Sequence, residues 1–93
     1  MYDIVHTEKF TKSLKRLVKG GLKKSTQKNI QVAIDKIVAG ERLESNYKDH
    51  QLHGEFAEYR ECHVQGDLLL IYKIINQELI LILIDIGSHN DLF

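Results

Sequence analysis

The chain has 93 residues, 43% of them hydrophobic, with one Cys and no Pro or Trp. This composition fits one compact domain, residues 1–93, and excludes a disordered chain or a disulfide-stapled secreted scaffold; a cytoplasmic location is expected. The 13 Lys+Arg and 13 Asp+Glu cancel, but only in total: residues 1–48 carry 11 basic and 5 acidic residues (+6), and residues 49–93 carry 2 and 8 (−6).

Tyr2-Asp3-Ile4-Val5-His6 alternates and is rich in β-formers, which predicts a short first strand. The start of the chain lacks the basic residues and long apolar run of a signal peptide. Thr7 is an expected helix N-cap, with Glu8 well placed in the first turn. Phe10, Leu14, Leu17 and Val18 then recur at i, i+4, i+7 and i+8, one apolar stripe of a helix that Gly20-Gly21 ends. Ile30, Ala33, Ile34, Ile37 and Val38 repeat that pattern in a second helix, closed by Gly40. The short glycine link predicts an antiparallel helix hairpin.

Glu41 to Glu55 has no period and reads as a polar surface connection lying along the sheet edge. Tyr59–Val64, Leu68–Ile75 and Leu79–Ile86 follow as strands, separated by Gln65-Gly66 and Asn76-Gln77-Glu78. Their short turns predict a three-stranded antiparallel meander. The fold class is therefore α+β, with a helix hairpin on one face of a four-stranded sheet. The apolar runs of the last two strands imply burial on both faces, so a partner chain is an expected cover for the face the helices leave open. Lys73, Glu78 and Asp85 interrupt the run from Leu68 to Ile86, which argues against a membrane span.

Between Lys9 and Lys28 lie eight basic residues and no acidic one. Lys9, Lys12, Lys15, Arg16, Lys19, Lys23 and Lys24 are candidates for contact with a polyanion such as RNA. Lysines also fill the solvated face of any helix, so charge alone leaves both readings open. The chemistry lies in the other half. His50, His63 and His89, with Asp67, are candidate acid–base groups, because histidine titrates near neutral pH. The turn at Gln65-Gly66 brings the strand ends carrying His63 and Asp67 together at one sheet edge. Asp67 beside Gly66 also suits a plain turn, and His63 a plain exposed strand position. Asp49, His50 and His53 resemble half of a metal site, but no second ligand pair is present, so no metal or other cofactor is expected. Cys62 and His63 are neighbours on a strand and point to opposite faces, a poor geometry for a nucleophile and its base.

Tyr47-Lys48-Asp49-His50, Leu52, Gly54, Tyr59-Arg60-Glu61-Cys62-His63-Val64, Asp67-Leu68-Leu69-Leu70-Ile71-Tyr72, and Gly87-Ser88-His89 with Leu92-Phe93 closely resemble the YafQ-type toxins of the RelE/ParE superfamily. The resemblance covers the whole chain, and its specific part lies in the second half. It implies a bacterial type II toxin, an endoribonuclease that cuts messenger RNA on the translating ribosome. A cognate antitoxin would neutralise it in a higher-order hetero-oligomer. The family's catalytic set falls on His50, His63, Asp67 and His89, and its C-terminal aromatic on Phe93, placed to stack on a base. Phe56 stands where related toxins can carry Trp. A ParE-like toxin that inhibits a protein such as DNA gyrase without catalysis would share the fold, and a metal-binding regulatory module is a third reading. The histidine set favours the nuclease, since a pure inhibitor needs no titrating groups there.

Overall fold

The computed structural model describes all residues, 1–93. Thr7 divides strand β1 (Asp3–His6) from helix α1 (Glu8–Lys19). Its backbone is extended, and its hydroxyl accepts from the Phe10 amide at 3.0 Å, capping the helix as expected. The same hydroxyl lies 2.8 and 2.9 Å from the carbonyls of Leu83 and Ile84, which tethers the helix start to a distant strand. Helix α2 (Lys24–Val38) follows after Gly21, whose φ of 103° is open to glycine at little cost. Phe10 from α1 and Ile30, Ile34 and Ile37 from α2 meet in one core, so the two apolar stripes converge.

Strands β2 (His50–Gln51), β3 (Arg60–Gln65), β4 (Leu68–Ile75) and β5 (Ile80–Gly87) complete a sheet ordered β1-β5-β4-β3-β2. The β3–β4–β5 meander is antiparallel, and β1 joins β5 in parallel. The sheet thus has five strands, one more than expected. The extra one is β2, within the stretch expected to be an irregular connection. Two residues are too few to show a period, and only their pairing with Glu61 and Arg60 makes them a strand. Cys62, Leu68, Leu70, Tyr72, Leu81, Leu83 and Ile86 bury their side chains on the helix-covered face.

Two bulges set which side chains reach the opposite face. Ile71 pairs with Asp85 and Tyr72 with Leu83, so Ile84 has no partner. Strict alternation would aim Asp85 into the core behind Leu81 and Leu83; the extra residue turns it out and puts Ile86 in. In β3, His63 pairs with Leu69 and Gln65 with Leu68, leaving Val64 as the extra residue.

The face away from the hairpin is covered in part by the chain itself, where a partner chain was expected. A 3-10 turn, Gly54–Phe56, and a short C-terminal helix α3 (His89–Leu92) bring Phe56, Tyr59, Leu92 and Phe93 over Ile71 and Ile84. Val5, paired with Ile82 at the other end, stays 46% exposed. Helix α3 has a readable signature in Ser88-x-x-Asp91, a capping box in which each residue's side chain accepts from the other's amide. No helix is long and apolar enough to cross a membrane.

Candidate active site

β2 places His50 directly opposite Glu61. Nε2 of His50 lies 3.2 Å from Oε2 of Glu61, and Nδ1 lies 2.6 Å from the carbonyl oxygen of Lys48. A carbonyl can only accept, so Nδ1 carries a proton and donates it. Lys48 itself takes a left-handed backbone, φ 48°, at the end of the 3-10 turn Ser45–Tyr47.

Asp49 points the other way and locks that segment down. Its Oδ2 accepts from Nη2 of Arg60 at 3.0 Å, and its Oδ1 accepts from the buried Tyr72 hydroxyl. Burial, reinforced by that hydrogen bond to Asp49, pushes the Tyr72 hydroxyl well above the usual phenol range. Asp49 therefore serves Arg60 and Tyr72, while Glu61 is the carboxylate at His50.

His63 lies two residues beyond Glu61 on the same strand face, half-buried and across from Leu69. Leu69 in turn pairs with Gly87, two residues before His89. The register thus sets His50 and His63 on one face, next to the end of β5 from which the chain continues to His89. Cys62, between Glu61 and His63, is buried in the core on the opposite face, and burial pushes its thiol up to about 12.

His89 opens α3. Its ring packs on Phe93 with centroids 5.2 Å apart, and Phe93 meets Phe56 edge-on at 5.5 Å. The backbone and side-chain hydrogen bonds from Ser88 hold Asp91 below the usual carboxylate range and keep the helix start closed. Gly87 makes room for this fold-back: a Cβ there would stand 3.1 Å from Asp91 Cβ and 3.3 Å from its carboxylate. Gly87→Ala is expected to shift α3, and with it His89 and Phe93, by a few tenths of an ångström. Any nucleolytic rate should then fall about tenfold, since small misplacements of reacting groups are costly. Faster exchange of the Asp91 and Leu92 amides, with a melting temperature lowered only slightly, would accompany that loss.

Asp67 stands apart from this arrangement. It is exposed at the tip of the β3–β4 turn beside Gly66 (φ 56°), and makes no hydrogen bond or ion pair with a histidine. No hydrogen bond or ring contact joins any two of His50, His63, Asp67 and His89, and none of them lines a cavity. The site is an open face, suited to a long substrate rather than an enclosed small molecule.

The basic residues divide. Lys9, Lys12 and Arg16 line a cleft of about 240 Å³ between α1 and α3, with Ser13, Asp85 and Asp91. Asp85, 7% exposed, accepts from the Ser13 hydroxyl at 2.6 Å and has Lys9 Nζ at 3.6 Å from its other oxygen. Lys12 pairs with Glu8 at 2.8 Å in the open. Lys15, Lys19, Lys23 and Lys24 are exposed and line no cavity. The sequence does not say which carboxylate meets which group: that Glu61 meets His50 depends on β2, and that Arg60 and Tyr72 share Asp49 depends on both β3 and β4.

The model of a family described as a bacterial toxin of type II toxin–antitoxin systems, YafQ, matches residues 2–93. The mRNA interferase toxin YafQ of Escherichia coli K12 is 41% identical over 51 residues, which are 55% of this chain and 53% of that protein, so the match spans about half of that relative. A metal-bound toxin from Helicobacter pylori superposes with a TM-score of 0.89 at 41% identity, covering 100% of both chains. The Escherichia coli DinJ-YafQ complex matches with a TM-score of 0.81 at 30% identity, over 100% of this chain and 99% of that one. In this chain no three His, Cys, Asp or Glu side chains converge to enclose an ion. Matched by the family model over nearly its whole length, the chain belongs to the YafQ family of type II toxins.

Proposed function

We propose that this chain cleaves messenger RNA on the ribosome and is neutralised by a cognate antitoxin. The observation that carries this reading is the open sheet face that presents His50 of β2 and His63 of β3, with His89 at the start of α3 packed against the C-terminal Phe93. Cleavage without a metal uses the ribose 2′-hydroxyl against the adjacent phosphorus. It needs a base for that hydroxyl, an acid for the departing 5′-oxygen, and positive charge near the phosphate. His50 and His63 take the proton-transfer roles. His89, when protonated, steadies the phosphate, and Phe93 stacks on a base. Asp67 touches no histidine, which favours a role toward the 2′-hydroxyl over that of orienting a ring. The name of the Escherichia coli relative, an mRNA interferase, and the DinJ-YafQ complex support both the reaction and the partner.

The test is to add purified protein to a translating extract and map messenger ends. New ends within codons are expected. Arrest of growth with intact messenger would reverse the preference toward a ParE-like inhibitor of a protein target.

Lys12 and Arg16 lie on the cleft that leads toward α3, which makes them the better RNA contacts among the basic candidates. Ribosome association is expected to weaken steeply with salt despite the zero net charge. Lys12→Gln and Arg16→Gln should each lower the slope of log affinity against log salt by about 1, and Lys23→Gln and Lys24→Gln by less. A flat salt response in the wild type would remove the basic helices from RNA binding.

A further inference from the structure

Glu61 is 6% exposed, and its Oε1 has no hydrogen-bond donor within reach in the protein. The positive partner within ion-pair distance is His50, through Oε2 and Nε2. A carboxylate removed from water this far is strongly disfavoured unless a charge or good donors offset the loss of solvation. Leu69 and Ile71, its strand neighbours on that face, are buried and apolar and supply none. His50 is constrained from its other side: Nδ1 already donates to the Lys48 carbonyl. One proton therefore lies between Nε2 and Oε2, and it is the only proton whose position the pair can change.

We propose that Glu61 is a positioning residue that, with Lys48, holds His50 as an imidazolium with both N–H groups engaged. This rests on the nuclease reading and deepens it by dividing the labour. His50 with Nε2 protonated cannot take the 2′-hydroxyl proton, so it is the acid or the charge that meets the leaving group, and His63 is the base. His63 suits that role: it is half-buried on the same face and makes no side-chain hydrogen bond that would occupy either ring nitrogen. When the 5′-oxygen departs it takes the Nε2 proton of His50, leaving a neutral ring still anchored through Nδ1. The reaction then ends with His63 protonated and His50 neutral, and solvent exchange restores both. Atoms and charge balance throughout: the 2′-oxygen–phosphorus bond forms as His63 takes the 2′-hydroxyl proton, and the phosphorus–5′-oxygen bond breaks as the 5′-oxygen takes the proton from His50.

Glu61→Gln removes the charge and keeps the shape, so it should leave the fold intact, which a thermal melt checks. Long-range ¹⁵N–¹H spectra of the free protein at neutral pH read the His50 ring directly. Both nitrogens are expected to be protonated in the wild type, and Nδ1 alone in Glu61→Gln. In single-turnover cleavage of ribosome-bound messenger, Glu61→Gln should lower the rate about 10- to 100-fold with ribosome affinity unchanged, and Glu61→Asp should recover part of it. The double variant His50→Ala/Glu61→Gln should be no slower than His50→Ala, because Glu61 acts only through that ring. An unprotonated Nε2 in the wild type, or losses that multiply in the double variant, would overturn the proposal. A wild type that leaves messenger intact would overturn the nuclease reading alone, since the spectra decide the His50–Glu61 pair without any cleavage.

Discussion

His63→Ala is expected to lower single-turnover cleavage of ribosome-bound messenger by about 10²- to 10⁴-fold, the usual loss on removing an acid–base group. That corresponds to about 3–5 kcal/mol of transition-state stabilisation. The fold should barely respond. His63 lies on β3 with its ring half-exposed, its ladder contacts to Leu69 are made by the backbone, and no side-chain hydrogen bond is lost with the ring. The measurement is the rate at saturating ribosome complex, with a melting curve beside it. His89→Ala should act in the same direction and more weakly, because His89 steadies charge where His63 moves a proton, and α3 keeps its capping box. Undiminished cutting by both variants, each folded, would sink the assignment of these residues.

Asp49→Ala carries the largest expected effect on stability. The substitution strands the hydroxyl of Tyr72, a side chain only 2% exposed, and leaving a buried hydroxyl unpaired costs about 1–3 kcal/mol. The ion pair with Arg60 adds little, since both partners are partly solvated and such pairs contribute at most about 1 kcal/mol. A loss of about 2 kcal/mol lowers the melting temperature of a domain this size by roughly 10 °C. Tyr72→Phe is the control: it removes the buried hydroxyl itself, leaves Asp49 bound to Arg60, and should be much milder. Activity is expected to fall with Asp49→Ala beyond what stability explains. Asp49 sits between Lys48, whose carbonyl receives the His50 ring, and His50 itself, so freeing it loosens the anchor of that ring. A variant as stable as the wild type would show that Asp49 is not the lock its contacts describe.

Much of the fold is written in local patterns. The stripes Phe10-Leu14-Leu17 and Ile30-Ile34-Ile37, the Thr7 cap and the glycine stops define the helices, because these signals lie within one or two turns of chain. The long strands declare themselves by their apolar runs and short turns. Helix α3 is not among the elements expected from the sequence: its one local signal is the capping box from Ser88 to Asp91, and four residues show no period. The bulges at Val64 and Ile84 were not legible. An extra residue changes register only relative to a partner strand, so nothing in β5 alone says that Asp85 turns outward and Ile86 inward.

The candidate site divides along the same line. The types and order of His50, His63, Asp67, His89 and Phe93 are properties of the chain as written, and with them came the YafQ-type resemblance that the family match bears out. The opposed charge halves are equally a matter of counting. Which carboxylate serves which group is not. Asp49 is adjacent to His50 yet binds Arg60 and Tyr72, whereas Glu61, 11 positions away in sequence, meets the ring across the β2–β3 ladder. Likewise Lys12 and Arg16 differ from Lys23 and Lys24 only because α3 folds back to wall a cleft with the former. Residue chemistry and short-range periodicity are local and survive in one dimension. Strand pairing, burial and the distance between charges come into being only when the chain closes on itself.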